Sequence, residues 1–206
     1  MNPRRIVTQD TLREQLRDQL QTLPPTAFEH LIARLLKSSG YAEVQVLGGS
    51  QGGADLSASV PNGLSQAVTL VQAKQYRAPV SRRFVDELRG AMLRMGAQQG
   101  VLLTTSSFYL PAYRAVWKPC PFPVRLVDGA KLIDLLLAHR VGVVPGAKGH
   151  LKLDRAYFAQ LRRDHGGGRR PGIATVPKPP VSRDCAAPNP NQGTGRRSWL
   201  DSFWGN

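Results

Sequence analysis

Three short runs with strand character, separated by turns, are followed by segments that alternate between helix and strand patterns. The runs cover residues 41–49, 50–60 and 67–76, and the turns between them contain "GGSQGG" and "PNG". Short connections of this kind predict an antiparallel meander of three strands. Helical, apolar, helical, apolar and helical segments then follow between residues 81 and 140. A meander followed by this alternation predicts an α/β sandwich with a mixed central sheet.

Two helical segments precede the strands. Leu12, Leu16 and Leu20 are four residues apart, which predicts a short helix with a narrow apolar stripe. We interpret residues 1–21 as an N-terminal helical extension. A second helix follows Pro24 and Pro25 and ends near residue 40, and its broad apolar face is expected to pack on the sheet.

Charge is the strongest compositional signal. The chain of 206 residues has a formal net charge of +14 and a pI near 10.7. Such a positive field attracts polyanions, so double-stranded DNA or another nucleic acid is the expected partner. A solvated basic tail without a partner is the alternative interpretation. The 18 or so consecutive apolar residues of a membrane span are absent from the sequence, and we expect a soluble cytoplasmic protein with no membrane association.

The composition changes near residue 144. Segments such as "HGGGRRPG" and "VPKPPVS" contain few apolar residues and many Gly, Pro and Arg. Residues 151–206 contain ten Lys or Arg and four Asp, a net charge of +6, which leaves +8 for residues 1–150. We therefore predict a catalytic domain over residues 22–143 and a mostly disordered basic tail over 144–206. Arg169 and Arg170 in this tail are candidates for non-specific phosphate contacts.

The segment "LVQAKQY" at residues 70–76 contains the candidate site. Residues i and i+2 of a strand point to the same face, so Gln72 and Lys74 are expected to lie together. A meander brings Asp55, at the start of the second strand, beside them. A carboxylate and a second oxygen donor suit Mg²⁺, and a neighbouring lysine suits phosphodiester hydrolysis. The alternative is a solvated edge strand next to a turn aspartate, a common turn residue.

A set of ordered motifs carries a family resemblance. "FEHLIARLLKSSGY", "GGADL", "VQAKQY", "VDELRGAM", "GVLLTTSSF", "PAYRAV" and "VRLVDGAKLIDLL" occur in this order between residues 22 and 138. They resemble the catalytic domain of Mrr-like restriction endonucleases, a branch of the PD-(D/E)xK nuclease superfamily in which the motif reads QxK. The resemblance implies a restriction-endonuclease-like, three-layer sandwich.

The resemblance also implies roles for individual residues. Asp55 would be the metal-binding acid, Gln72 the second ligand through its side-chain oxygen, and Lys74 the catalytic lysine. Glu29, on the helix before the sheet, matches an acid that often completes the metal site. In the alternative, Thr26 and Glu29 form a capping box at the start of that helix. The implied cofactor is Mg²⁺, for which Mn²⁺ can substitute.

The sequence departs from this family pattern at one position, because Gln51 stands where a further Asp often precedes the metal-binding acid. A less acidic site predicts weaker metal affinity.

Further residues near the motif are candidate DNA contacts, each with a structural alternative. Gly53 would let the backbone approach a phosphate or supply a positive φ in a turn. Tyr76 would contact the backbone or pack. The other candidates are Gln75, on the same strand, and Arg82 and Arg83, at the start of the next helix. The hydroxyl residues 104–106 are interpreted as a helix cap.

These observations predict a metal-dependent DNA endonuclease of Mrr-like restriction or defence type, with modified DNA as a substrate class that the resemblance suggests. A structure-selective repair or recombination nuclease is the first alternative, and a non-catalytic DNA-binding module with the nuclease fold is the second. Cutting both strands takes two active sites, so we expect a homodimer. Base-specific reading is expected from a separate recognition domain or subunit.

Overall fold

A computed structural model describes residues 9–48, 52–62, 65–146 and 149–167. The chain passes in order through α1 (Gln9–Thr22), α2 (Pro25–Ser38), β1 (Ala42–Val46), β2 (Leu56–Asn62), β3 (Ser65–Lys74), α3 (Arg83–Met95), β4 (Gln99–Thr104), α4 (Leu110–Trp117), β5 (Val124–Val127), α5 (Gly129–Ala138), β6 (Val143–Pro145), β7 (Leu151–Leu153) and α6 (Arg155–His165). The alternation of helices and strands from α3 to α5 agrees with the sequence pattern.

The main sheet has five strands in the order β1-β2-β3-β4-β5. β1, β2 and β3 pair antiparallel, whereas β3, β4 and β5 pair parallel. The predicted meander and the predicted mixed sheet are therefore both confirmed. β3 is the middle strand and has one antiparallel and one parallel neighbour. It carries the "QAK" motif at its carboxyl end.

Helices cover both faces of this sheet, and each face has its own hydrophobic core. Leu56, Val71 and Leu103 pack into the core that α1, α2, α5 and α6 cover. Leu70 and Leu102 pack on the other face, under α3 and α4. The side-chain alternation of β3 thus separates the two cores. This is the three-layer, restriction-endonuclease-like sandwich that the resemblance implied.

The boundary predicted at residue 143 is wrong, because the folded unit extends beyond it. β6 and β7 form a two-stranded antiparallel sheet, and α6 follows with Asp154 as its N-cap. Phe158 is only 1% exposed, and both Phe158 and Leu161 are buried in the core that α2 also covers. Burial of apolar side chains against the rest of the core stabilises the fold. Residues 151–165 therefore belong to the domain.

The interpretation of residues 1–21 as an extension also needs correction. Leu12, Leu16 and Leu20 are at most 2% exposed and lie in the same core as α2 and α6. The leucine stripe is therefore an internal surface of the domain. Arg13 also forms a salt bridge from α1 to Asp134 on α5.

Several predictions concern residues outside those the structure describes. Gln51, Arg169, Arg170 and the rest of residues 168–206 belong to this group. Among the described residues, each helix is too short or too polar to cross a bilayer.

Candidate active site at the carboxyl end of β3

Asp55 lies immediately before β2 and is bound to β3 on both sides of Gln72. Its backbone N–H donates to the carbonyl of Val71 (2.9 Å), and its Oδ2 accepts the N–H of Ala73 (2.8 Å). These bonds fix the carboxylate at the end of β3, as the meander predicted. A carboxylate has about four acceptor sites, so the bond to Ala73 leaves capacity for a cation.

Gln72 is buried in the sheet with an unsatisfied oxygen. The residue is 2% exposed, and among the described atoms its Oε1 has no hydrogen-bond partner. A buried polar atom without a partner costs about 1–3 kcal/mol. A water or a cation can complete the bonding of such an atom, and an amide oxygen is a ligand that Mg²⁺ accepts.

Lys74 projects from the same side of β3 as Gln72, as the two-residue spacing predicted. Its Nζ lies 5.2 Å from the centre of the Phe84 ring on α3, within the range of a cation–π contact. Tyr76 packs edge-on against the same ring, with centroids 5.8 Å apart. Phe84 therefore forms a platform beside the lysine, a feature that the sequence analysis missed.

Glu29 faces the same region from α2, and Thr26 is not the N-cap that the capping-box interpretation required. α2 begins at Pro25 with Pro24 as its N-cap and has no side-chain cap, so Thr26 lies inside the first turn. Glu29 is 9% exposed, which is unusual for a glutamate. A pocket of about 180 Å³ is lined by Pro25, Phe28, Glu29, Asp55, Ala73, Lys74, Gln75 and Tyr76. It brings two carboxylates and the lysine together, whereas Gln72 does not line it.

The donor set of this pocket is small. Within the described ranges, there is no group of three or more His, Cys, Asp or Glu residues with metal-binding geometry. The two carboxylates would therefore need a neutral oxygen such as that of Gln72 to complete a site for a hard cation.

Gly53 has a structural reason to be glycine. Its φ is +112°, and a Cβ there would lie 2.9 Å from the backbone oxygen of Glu87 on α3. The turn before Asp55 is thus packed closely against α3. Its predicted contact with a DNA phosphate stays a prediction.

The side chain of Gln75 points into the protein. Its Nε2 donates to the carbonyls of Leu20 and Leu23, both at 2.7 Å. These are groups at the end of α1, more than fifty residues earlier in the chain. A DNA contact by Gln75 stays a prediction. Because both hydrogens of its amide already donate to these carbonyls, only the side-chain oxygen is left to make such a contact.

The predicted DNA contacts on α3 are exposed and paired. Arg82 bonds Asp86 at 3.1 Å, and Arg83 bonds Glu87 at 2.6 Å, each four residues on. The hydrogen bond to Glu87 is the largest factor that raises the pKa of Arg83. Both arginines present charge to solvent, and their predicted phosphate contacts stay predictions.

The hydroxyl groups after β4 hold the segment after Lys74 instead of capping a helix. Thr105 Oγ1 donates to the Tyr76 carbonyl (2.9 Å), and Ser106 Oγ donates to that of Ala78 (2.7 Å). α4 begins after Tyr109 with no side-chain cap, so the predicted cap is wrong. Clustered Thr and Ser after a strand give no sequence signal for this role.

A mixed five-stranded sheet between two helical layers, with an acid and a lysine at the end of the middle strand, is typical of the restriction-endonuclease-like class. Solved structures agree with this fold. The chain of the DNA modification-dependent restriction endonuclease AspBHI matches with a TM-score of 0.53 and 20% identity, covering 63% of this chain and 36% of that one. The MspJI restriction endonuclease, solved in complex with a 27-mer oligonucleotide, matches with a TM-score of 0.56 and 23% identity, covering 80% and 39%.

Sequence comparison identifies the family. The family Mrr_cat, described as restriction endonuclease, matches residues 20–136, more than half of the chain. The type IV methyl-directed restriction enzyme EcoKMrr of Escherichia coli (strain K12) is 31% identical over 154 residues, which is 72% of this chain and 50% of that protein. The chain thus spans about half the length of this curated relative. It belongs to the Mrr catalytic family of restriction endonucleases.

Proposed function

We propose that this chain is the catalytic part of a metal-dependent DNA endonuclease that hydrolyses phosphodiester bonds. The observation that carries the proposal is the pocket at the end of β3, which is lined by Glu29, Asp55 and Lys74. Family membership supports a nuclease of restriction type. The net charge of +14 supports a polyanionic substrate and an approach steered by electrostatics.

The residues present fit a hard divalent cation. Asp55 and Glu29, which line the pocket, would supply carboxylate oxygens. The unsatisfied Oε1 of Gln72, the residue before the pocket-lining Ala73, would supply a third oxygen. Mg²⁺ accepts such a set and leaves its other positions to water and phosphate oxygens. Mn²⁺ has similar ligand preferences and is expected to substitute.

The chemistry divides between the ion and the protein. When bound, the cation supplies positive charge that stabilises the reacting phosphate and activates water for attack. Lys74 stands beside the pocket with its ammonium group next to the Phe84 ring. In the proposal it orients the attacking water and stabilises negative charge that develops on the phosphate. The hydrogen bond from Ala73 N–H orients the Asp55 carboxylate, which in the proposal binds the cation.

Tyr76 is the best-placed candidate for a DNA contact in this arrangement. It lines the pocket, and 42% of its surface is exposed. Arg82, the N-cap of the adjacent α3, and Arg83, its first residue, would extend the positive surface along the duplex.

The substrate and the assembly are further parts of the proposal. EcoKMrr is named as methyl-directed and AspBHI as modification-dependent, and we propose modified DNA as the substrate class of this chain. Recognition of the modified base would come from a separate domain or subunit. Two copies of the chain would cut the two strands, and the enzyme would act in the cytoplasm.

Plasmid cleavage tests the proposal. The purified chain is expected to nick or linearise plasmid with Mg²⁺ or Mn²⁺ and not with EDTA. Lys74→Ala should remove cleavage, whereas Lys118→Ala, which deletes an exposed lysine after α4, should keep it. Asp55→Asn should lose both cleavage and Mn²⁺ binding measured by calorimetry.

The substrate is tested by the same assay on methylated, unmethylated and branched DNA. Preference for methylated DNA supports the proposed substrate class, and preference for branched DNA replaces it with repair or recombination. DNA binding without cleavage on all three, in the presence of metal, would overturn the enzyme assignment.

A further inference from the structure

Gln75, the residue after Lys74, joins the catalytic strand to the N-terminal helix. Its Nε2 donates to the carbonyls of Leu20 and Leu23, both at 2.7 Å. α1 ends at Thr22, so these are carbonyls of its last turn and of the residue that follows. Carbonyls at a helix end lack partners inside the helix and need them from elsewhere. One side chain, directly after β3, thus donates to two carbonyls at this end of α1.

The closed end leads directly into the helix that carries Glu29. Pro24 follows Leu23 as the N-cap of α2, and Phe28 N–H donates to the Pro24 carbonyl at 2.9 Å. Proline fixes φ, so the link between the two helices has little freedom. Glu29 lies four residues beyond Pro25, which is about 6 Å along the helix axis. Leu23, the nearer of the two residues that Gln75 holds, therefore lies six residues before Glu29 and two before the start of α2.

We propose that Gln75 is a positioning residue that sets the place of Glu29 relative to Asp55 and Lys74. The inference rests on the proposed function, since it concerns the acid of the same metal site. Gln75 and Lys74 are consecutive residues. If the Gln75 bonds are lost and α2 shifts, Glu29 therefore moves relative to Lys74. All four residues line one pocket. Groups that orient metal ligands typically change metal affinity by about 10- to 100-fold when they are removed.

Arg162 provides a matched control on the same helix end. Its Nη2 donates to Gln19 Oε1 (2.9 Å) and Thr22 Oγ1 (3.1 Å), so it also ties the last turn of α1, but from α6. It does not line the pocket, and its hydrogen bonds to described residues reach α1 and α6. Loss of Arg162 removes a comparable number of hydrogen bonds without releasing the link between the catalytic strand and α2.

The test uses Gln75→Met, which keeps a long unbranched side chain and removes both donors. Mn²⁺ affinity, measured by calorimetry on the full chain, is expected to fall about ten-fold. In a Glu29→Gln background the same substitution should cause no further loss, because Gln75 acts through Glu29. Arg162→Met should leave Mn²⁺ affinity unchanged. Equal affinities of wild type and Gln75→Met, additive losses with Glu29→Gln, or an equal loss in Arg162→Met would each overturn the inference.

Hydrogen exchange of the metal-free protein separates this inference from the proposed function. Gln75→Met should speed exchange at the amides of Phe28 and Glu29 about ten-fold by freeing the start of α2. Unchanged exchange there overturns the positioning role whether or not metal binds. If the wild type binds no Mn²⁺ and Gln75→Met still shows faster exchange, the metal site alone is overturned and Gln75 remains the residue that places α2.

Discussion

Phe158→Ala tests whether α6 belongs to the folded domain. Phe158 is 1% exposed in the core shared by α1, α2 and α6. The backbone of Gly142 lies against its ring, since a Cβ on Gly142 would be 2.8 Å from two ring carbons. Glycine has no side chain with which to fill the space, so we expect a cavity to remain. Removal of a buried phenylalanine ring typically costs about 3–5 kcal/mol in unfolding free energy.

The expected loss is a large part of the stability of a domain, which is typically about 5–15 kcal/mol. Urea unfolding followed by circular dichroism measures it. With a slope of about 2 kcal/mol per molar urea, the midpoint should fall by roughly 1.5–2.5 M. Trp117→Ala is the control, because Trp117 is 72% exposed, and such surface changes are usually within about 0.5 kcal/mol. A Phe158→Ala loss below about 1 kcal/mol would show that α6 is peripheral and that our assignment of residues 151–165 to the core is incorrect.

Two further predictions concern pH and salt. Burial, and then the positive charges of His165 and Lys37, lower the pKa of His30 below its ordinary value of 6.5. Just below pH 6.5 the unfolded chain therefore binds a proton at His30 that the folded chain does not bind. The unfolding free energy should fall as pH decreases from 6.5 towards the lowered pKa. Thermal unfolding at pH 5 to 8 measures this dependence, and His30→Gln should flatten it. Residues 168–206 carry six Lys or Arg and two Asp, a net charge of +4. Their deletion should weaken DNA binding and reduce its salt dependence in anisotropy titrations between about 50 and 200 mM salt, and an unchanged slope would mean that these residues make no phosphate contacts.

The sheet and its motif were predictable because they depend on local rules. Strand periodicity put Gln72 and Lys74 on one face, and short turns put Asp55 on the neighbouring strand. The structure agrees with both steps. These rules do not specify how deeply each side chain is buried, however. Gln72 is buried and does not line the pocket, and its burial depends on the packing of helices on the sheet, which strand periodicity does not report.

The helices at the two ends were harder to place. The leucine stripe of α1 was read correctly as apolar, but a periodic stripe does not say which surface covers it. In α6, Phe158 and Leu161 have helical spacing after the N-cap Asp154, a signal that the surrounding Gly, Pro and Arg residues obscured.

The bonds from Gln75 to Leu20 and Leu23 join positions 55 and 52 residues apart, and residue patterns contain no information at that range. The predicted start of α2 was wrong for a different reason. The pattern Thr26-x-x-Glu29 fits a capping box, but the extended conformation at Pro24 starts the helix two residues earlier.

The end of α6 has a consequence for whatever is attached to it. His165 stacks on His30 with ring centroids 3.5 Å apart, and a Cβ on Gly166 would lie 3.7 Å from Pro24. Pro25, the next residue, is part of the pocket wall. The last described residues thus lie beside Pro24, the neighbour of a residue that lines the proposed active-site pocket. If the proposed site binds DNA, a segment joined at this point would be tethered close to it, so even weak attraction to a phosphate chain would act at high effective concentration and change how long DNA stays bound.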